Sequence, residues 1–309
     1  MKIFAVSLLV HENPEILGDQ LANFSKFFAN AYVVIHISRS TTTPYHEFEK
    51  ICSEYANAVI NPTRLNTRWG DMLSPIVSNI EYALAQFTDI EAICFASSTD
   101  MFVKLGVENY IESHRIAYDS MGQVDSEHKD MIVAACFNDP SFLRMLEHLG
   151  IGSATYSQIE GSFYPASLAK EILQVIKQHF DISGCNANYY REEFVIPTIA
   201  HALTPKGQKI AMPYTLRSMF AYNWARGFGQ RHKALILPSR ILAKLIKFRY
   251  SKFWKLPIIQ KSIEYNFSNL LRYSVVNGIK KFDPSSIHAI KRVRPDMADP
   301  ARCYLRDNV

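Results

Sequence analysis

The feature that most constrains the fold is an alternation, over the first hundred residues, of short apolar runs with segments of helical periodicity. Four apolar runs have the length and composition of buried strands: 2–10, 31–38, 57–62 and 91–98. Three segments between them have apolar residues at helical spacing: 14–29, 46–56 and 74–87. Strands that alternate with helices predict an α/β fold, with a mostly parallel sheet covered by helices on both faces.

The pattern continues after residue 130. The apolar run 131–138 is predicted to be a strand, and 141–150 and 167–180 are predicted helices. Because no run reaches about 18 uninterrupted apolar residues, no membrane span is predicted and we expect a soluble or peripheral protein. The five cysteines include no C-x-x-C pair, which is typical of reduced thiols in a cytoplasmic protein.

Charge divides the chain into three parts. Residues 1–230 have a net charge of −7, whereas residues 231–281 contain 12 Lys or Arg and a single acid, Glu264. We therefore divide the chain into an α/β domain over 1–230, a basic amphipathic helical region over 231–281, and a tail over 282–309. The basic region, with aromatic residues between its bases, favours an anionic membrane surface. Packing on the core and binding of nucleic acid remain alternatives, and we consider nucleic acid the least favoured.

The ends of the predicted strands are where an open α/β sheet binds its ligand. Polar residues follow two of these strands, at 36–40 and 97–100. The two commonest phosphate-binding loops, G-x-G-x-x-G and the P-loop, are absent. The D-x-D motif is absent as well. In many enzymes that use nucleotide-sugars, its paired acids follow a buried strand and bind a divalent metal on the diphosphate. Here Asp100 is the single acid at that position.

Several segments, taken in order, carry a resemblance. They are 10–14, 34–38, 68–70, 93–100, 161–164, 191–198 and 289–296. Together they resemble the core-2/I-branching N-acetylglucosaminyltransferases, glycosyltransferase family 14 and its bacterial relatives, which have a GT-A fold. The sequence departs from that family at four positions: Ser38 and Glu192 each replace an Asp, Ser98 replaces a Gly and Tyr164 replaces a Trp.

The resemblance implies inverting, metal-independent transfer of a sugar from a nucleotide-sugar, and it suggests roles for particular residues. Glu193 matches the catalytic base, and Lys291 and Arg292 match the basic residues that hold the leaving diphosphate in place of a metal. Arg217 and Arg226 are reserve candidates for the diphosphate. The remaining candidates are His11, Ser97, Ser98 and Asp100 for the donor, and Trp69, Ser162, Tyr164 and Glu192 for the acceptor.

The prediction is therefore a glycosyltransferase that uses no metal or other cofactor, in which residues 1–230 form a GT-A-like catalytic domain and the tail 282–309 returns to the donor site. Its expected donor is a UDP-sugar, and its expected acceptor is a saccharide or lipid-linked saccharide in bacterial surface polysaccharide or glycolipid synthesis. The basic region predicts a cytoplasmic enzyme at the inner face of the membrane. Two alternatives remain: a non-catalytic nucleotide-sugar-binding protein, and a peripheral membrane or nucleic-acid adaptor.

Overall fold

The structure is a computed structural model of the chain, and it describes residues 3–11, 13–68, 70–119, 122–183, 188–216, 288–291, 295–298 and 300–308. The whole basic region 231–281 lies outside these residues. Trp69, Arg292, Arg217 and Arg226, four of the candidates named above, also lie outside them.

A five-stranded sheet forms the centre of the fold. Its strands are β1 (Ile3–Val10), β2 (Ala31–Ile37), β3 (Ala58–Ile60), β4 (Ile90–Ser97) and β8 (Phe163–Pro165). They lie in the order β3-β2-β1-β4-β8, and every neighbouring pair is parallel except β4 with β8. The predicted α/β fold with a mostly parallel sheet is confirmed.

Nine helices are described. Their bounds are α1 (Pro14–Phe27), α2 (Tyr45–Cys52), α3 (Leu73–Gln86), α4 (Val107–His114), α5 (Met131–Phe137), α6 (Pro140–Leu149), α7 (Ala166–His179), α8 (Arg191–Leu203) and α9 (Pro300–Asn308). Helix α1 begins where its sequence indicates, because Asn13 caps it by accepting a hydrogen bond from Glu15 N, and Pro14 suits the first helical position.

The sheet separates two apolar cores, because side chains alternate between its faces. Ala5 and Leu9 of β1 pack in one core, with residues of α3, α5, α6, α7 and α8. Phe4, Val6 and Leu8 pack in the other, with residues of α1, α2 and α4. Helices on both faces are the reason that β1, β2 and β4 are almost continuously apolar.

One predicted element is wrong. Residues 131–138 were predicted to form a strand, but Met131–Phe137 forms helix α5. Asp130 caps this helix by accepting a hydrogen bond from Ile132 N. Only Val133 and Cys136 are buried, and their spacing of three residues is helical. A short apolar run does not distinguish a buried strand from a helix, and here the Asp130 cap indicates a helix.

Two small sheets lie beside the main one. Strands β5 (Met101–Phe102), β10 (Ala289–Ile290) and β9 (Thr215–Leu216) form one, in the order β5-β10-β9. Strands β6 (Gln123–Val124) and β7 (Ala154–Thr155) form the other. Because Ile290 pairs with Met101, the chain beyond β10 lies next to the end of β4. Among the described helices, none is long and apolar enough to cross a membrane.

Candidate active site

The site lies at the carboxyl edge of the main sheet, where the strand order reverses between β1 and β4. Ligands of open α/β sheets bind at such a switch point. Strand β1 ends there at Val10, with His11 exposed beyond it, and β4 ends there in the turn Ser97–Asp100. His11, Ser97 and Asp100, three of the predicted donor residues, therefore follow the two strands that flank the switch point.

Hydrogen bonds from its own residues and from α1 fix the conformation of the turn after β4. The Asp100 carboxylate accepts hydrogen bonds from Ser97 N at 3.0 Å and Ser97 Oγ at 2.8 Å. From α1, Gln20 Nε2 donates to the carbonyl oxygens of Ser97 and Asp100 at 2.6 and 2.9 Å. Ser98 is buried in the same turn. Asp100 and Gln20 thus fix the shape of the turn, a role for Gln20 that no sequence pattern indicated.

Lys291 comes directly after β10, and its charge acts on Asp100 of this turn. Its ammonium lies 2.7 Å from a carboxylate oxygen of Glu160, and the two side chains are only 13% and 16% exposed. Both charges act on Asp100, whose pKa is raised to about 7. Burial is the main cause and the negative charge of Glu160 adds to it, while Lys291 and the hydrogen bonds from Ser97 act in the opposite direction.

Glu160 is presented to Lys291 by a constrained loop. Gly161 has φ +81°, and a Cβ there would lie 2.4 Å from Thr215 N. Gly161 N donates to Phe95 O of β4 at 2.8 Å, and its carbonyl accepts from Tyr214 N at 2.9 Å. The loop is therefore held between β4 and the segment entering β9, and glycine is required at its closest approach.

Glu192, in the first turn of α8, faces the same charges. Its side chain is buried, with 6% of the residue exposed, and among the described residues its Oε2 has no hydrogen-bond partner. The pKa of the Glu192 carboxyl is raised to about 8. Burial is the largest cause and the charges of Glu193 and Glu160 add to it, whereas its own backbone amide and Lys291 lower the pKa. Glu192 is thus largely protonated at neutral pH.

Glu193, the predicted base, is only half-buried. Its backbone is fixed, because its N–H donates to Tyr190 O and its carbonyl accepts from Ser157 N, both at 3.0 Å. Successive helical residues point about 100° apart. The two acids of the α8 first turn therefore have different environments, a buried one for Glu192 and a partly exposed one for Glu193.

The other two described acceptor candidates lie in the core. Ser162 is fully buried and donates its hydroxyl hydrogen to Gln158 O at 3.0 Å. Tyr164 is on β8, with its ring packed against Phe95 and Tyr118. Neither side chain offers a surface to an acceptor in this structure, so the prediction that they contact one finds no support in their placement.

His36, on β2, is a buried residue beside the site. Its Nε2 accepts a hydrogen bond from Leu65 N at 2.9 Å. The pKa of His36 is lowered to about 4, first by burial and then by the positive charge of Arg64, against the effect of its hydrogen bond to the backbone. The ring is therefore neutral at physiological pH, and it holds the loop that follows β3.

The cluster Asp100, Glu160, Glu192 and Lys291 is the electrostatic centre of the site. Of its four members, Glu160 is the one that the sequence did not indicate. Within the described part of the chain, no group of three or more His, Cys, Asp or Glu residues is arranged to hold a metal ion.

Comparison with known proteins gives little further information. No protein-family model matches the chain, and no curated protein sequence matches it. Among solved structures the chain is similar to S. aureus TarS, with 16% sequence identity and a TM-score of 0.39. The likeness covers 74% of this chain and 39% of that one. A likeness with so low a TM-score does not indicate the function of the chain.

Proposed function

We propose that this chain is a glycosyltransferase that moves a sugar from a nucleotide-sugar, a UDP-sugar in our hypothesis, to a saccharide hydroxyl. One observation carries the proposal: Lys291 pairs with Glu160, and the charges of this pair act both on Asp100 at the end of β4 and on Glu192 in the first turn of α8. Sugar transfer needs a base for the acceptor hydroxyl and a positive charge for the leaving diphosphate, and we assign these roles to Glu193 and Lys291.

Glu193 is the proposed base. A base must be ionised and must reach the acceptor hydroxyl. Glu193 is half-buried and so accessible, whereas Glu192 is buried with its pKa raised to about 8. We assign Glu192 the role of a neutral acid that positions Glu193, its neighbour in the first turn of α8, because its carboxyl is buried and its pKa is raised to about 8.

Lys291 is the proposed partner of the leaving diphosphate, together with Arg292. In this hypothesis a diphosphate oxygen replaces Glu160 as the partner of the Lys291 ammonium, so that fixed positive charge balances the charge that develops on the leaving group. Transfer by this route uses no metal ion.

The first experiment tests donor binding and then transfer. Nucleotide-sugars are screened by thermal shift, since a ligand that binds only the folded state raises its stability. With the best donor, Glu193→Gln should lower kcat by at least about a hundredfold and Lys291→Met should lower kcat/KM comparably. Glu171→Gln, an exposed acid on α7, is the matched control.

Three results would contradict the proposal. The first is that no nucleotide-sugar stabilises the protein, and the second is that Glu193→Gln transfers sugar at the wild-type rate. The third is that activity disappears with a chelator and returns with manganese. The last result would overturn the metal-independent route alone.

We further propose that the basic region 231–281 holds the enzyme at an anionic membrane, where lipid-linked acceptors lie. The described residues on either side support this: Leu216 of β9 pairs with Ile290 of β10, so the chain leaves and returns beside Lys291. Flotation with vesicles containing anionic lipid should decrease steeply with salt. Equal flotation with neutral vesicles, or stronger retention on RNA, would contradict the membrane proposal.

A further inference from the structure

Helix α9 is docked on α1 by charges that are shielded from solvent. Arg302 Nη1 lies 2.7 Å from Asp19 Oδ2, and the two side chains are 0% and 1% exposed. Arg306 reaches the other oxygen of Asp19 at 3.4 Å, from a side chain that is 35% exposed. A buried ion pair of this kind is costly to desolvate, and it is better suited to fixing one arrangement than to adding stability.

The same face of α1 also holds the candidate site. Next to Asp19, Gln20 binds the carbonyl oxygens of the Ser97–Asp100 turn. One turn further, Asn23 accepts a hydrogen bond from Phe102 N at 2.7 Å and donates one to Phe102 O at 3.0 Å, which fixes β5. Three buried polar residues of α1 therefore hold the turn, β5 and α9.

Lys291 lies between two of these attachments. Before it, β10 lies between β5 and β9 and pairs with each over only two residues. Val103 N donates to His288 O at 2.9 Å, and His288 N and Ala289 N donate to Tyr214 O at 2.9 and 3.1 Å. Ladders this short have little stability of their own. After it, the chain reaches Arg302, whose Nη1 also contacts Met101 Sδ on β5 at 3.6 Å.

We propose that Arg302, through its ion pair with Asp19, is the positioning residue for Lys291. With α9 docked, β10 before Lys291 is held against β5 and α9 after it is held against α1, and the ammonium stays beside Glu160. Without the pair, β10 separates from β5 more often and Lys291 leaves the site. The role of Lys291 in this inference rests on the proposed function, whereas the position of Lys291 beside Glu160 does not depend on it.

The test measures acylation of lysine amines by N-hydroxysuccinimidyl acetate, with mass spectrometry of the full chain after digestion. The rate at Lys291 is divided by the rate at Lys170, an exposed lysine on α7, in the same molecule. Since breaking one side of a buried pair favours local opening strongly, Arg302→Met should raise this ratio at least about tenfold. Arg302→Lys, which keeps a cation for Asp19, should restore most of the protection.

Arg306→Met is the matched control, because Arg306 is the exposed arginine of the same helix and also contacts Asp19. This variant should leave the ratio unchanged. Amide hydrogen exchange in β1 monitors global unfolding and should not change in any variant. Asp19→Asn breaks the pair from the other side, and it replaces Arg302→Met if that variant does not fold.

An unchanged ratio in Arg302→Met or Asp19→Asn would overturn the inference, and so would exchange in β1 that rises as much as exchange at 288–291. If UDP binds, its dissociation constant should rise about tenfold in Arg302→Met and recover in Arg302→Lys, in parallel with the labelling. If UDP and pyrophosphate do not bind the wild-type protein while labelling follows Arg302, the proposed function fails and the positioning of Lys291 stands.

Discussion

Replacing Glu192 with glutamine should stabilise the protein, and the gain should grow with pH. Burial raises the pKa of this carboxyl to about 8 in the folded state, against an ordinary value of 4.5 for glutamate. Between these two pH values the folded state binds more protons than the unfolded state, so the wild-type protein loses stability as pH rises. Glutamine is close in shape, stays neutral at every pH and removes that loss.

The size of the effect follows from the two pKa values. Each pKa unit corresponds to about 1.4 kcal/mol, so wild-type Glu192 costs the folded state about 3 kcal/mol at pH 7 and about 5 kcal/mol at pH 9, relative to pH 4. In the difference between variant and wild type, the other titrating groups largely cancel. The gain in unfolding free energy for Glu192→Gln should therefore be near zero at pH 4 and increase through pH 8.

Urea unfolding at one-unit pH intervals from 4 to 9 measures this difference. Glu171→Gln, at an exposed position, should show no trend with pH. A difference that stays constant with pH, or a variant less stable than wild type throughout, would refute the reasoning, since either means that Glu192 is ionised in the folded protein. If the neutral acid is the working form, Glu192→Gln also keeps most of the activity that Glu193→Gln loses.

Three further substitutions test the fold around the site, each by urea unfolding. Asn79→Ala should cost about 3 kcal/mol at all pH values, because Asn79 Nδ2 donates to buried groups of β1 and β2 that would lose their partner. Gly161→Ala should destabilise more than Gly150→Ala: both glycines have positive φ, but only at Gly161 would the new Cβ meet Thr215. The wild-type protein should lose about 3 kcal/mol of unfolding free energy as pH falls from 6.5 to 4, because His36 binds a proton in the unfolded state and stays neutral in the folded state. His36→Gln should remove this loss.

The order of strands and helices in the first hundred residues could be predicted because each buried parallel strand is continuously apolar and each helix shows one apolar face. Asn13 and Pro14 also mark a helix start by local chemistry alone. The error at 131–138 arose where these signals are weakest, in a run too short for its periodicity to separate a helix from a strand. Asp130, the cap, was the signal that would have corrected it.

The candidate site was predictable only where strand ends mark it. Asp100 follows a strand that is recognisable from its composition, whereas Glu160 lies in a loop with no motif and meets Lys291 across 131 positions of sequence through tertiary packing. The burial of Glu192 was missed for a related reason. An acid in a first helical turn ordinarily faces solvent and is stabilised by the helix dipole, and only the packing of α8 against the rest of the chain removes Glu192 from water.

That burial explains how so acidic a cluster suits an anionic donor. Three carboxyl groups beside one ammonium would repel a diphosphate if all three were ionised. The raised pKa values of Asp100 and Glu192 keep a large share of both groups neutral near pH 7, which leaves the Glu160 and Lys291 charges to balance each other. A diphosphate then competes with one carboxylate for one ammonium. Neutral acids also donate hydrogen bonds, which ionised ones cannot do. In the proposed reaction, the site thus contributes a base at Glu193, a cation at Lys291 and, in Asp100 and Glu192, buried carboxyl groups whose raised pKa values limit their negative charge.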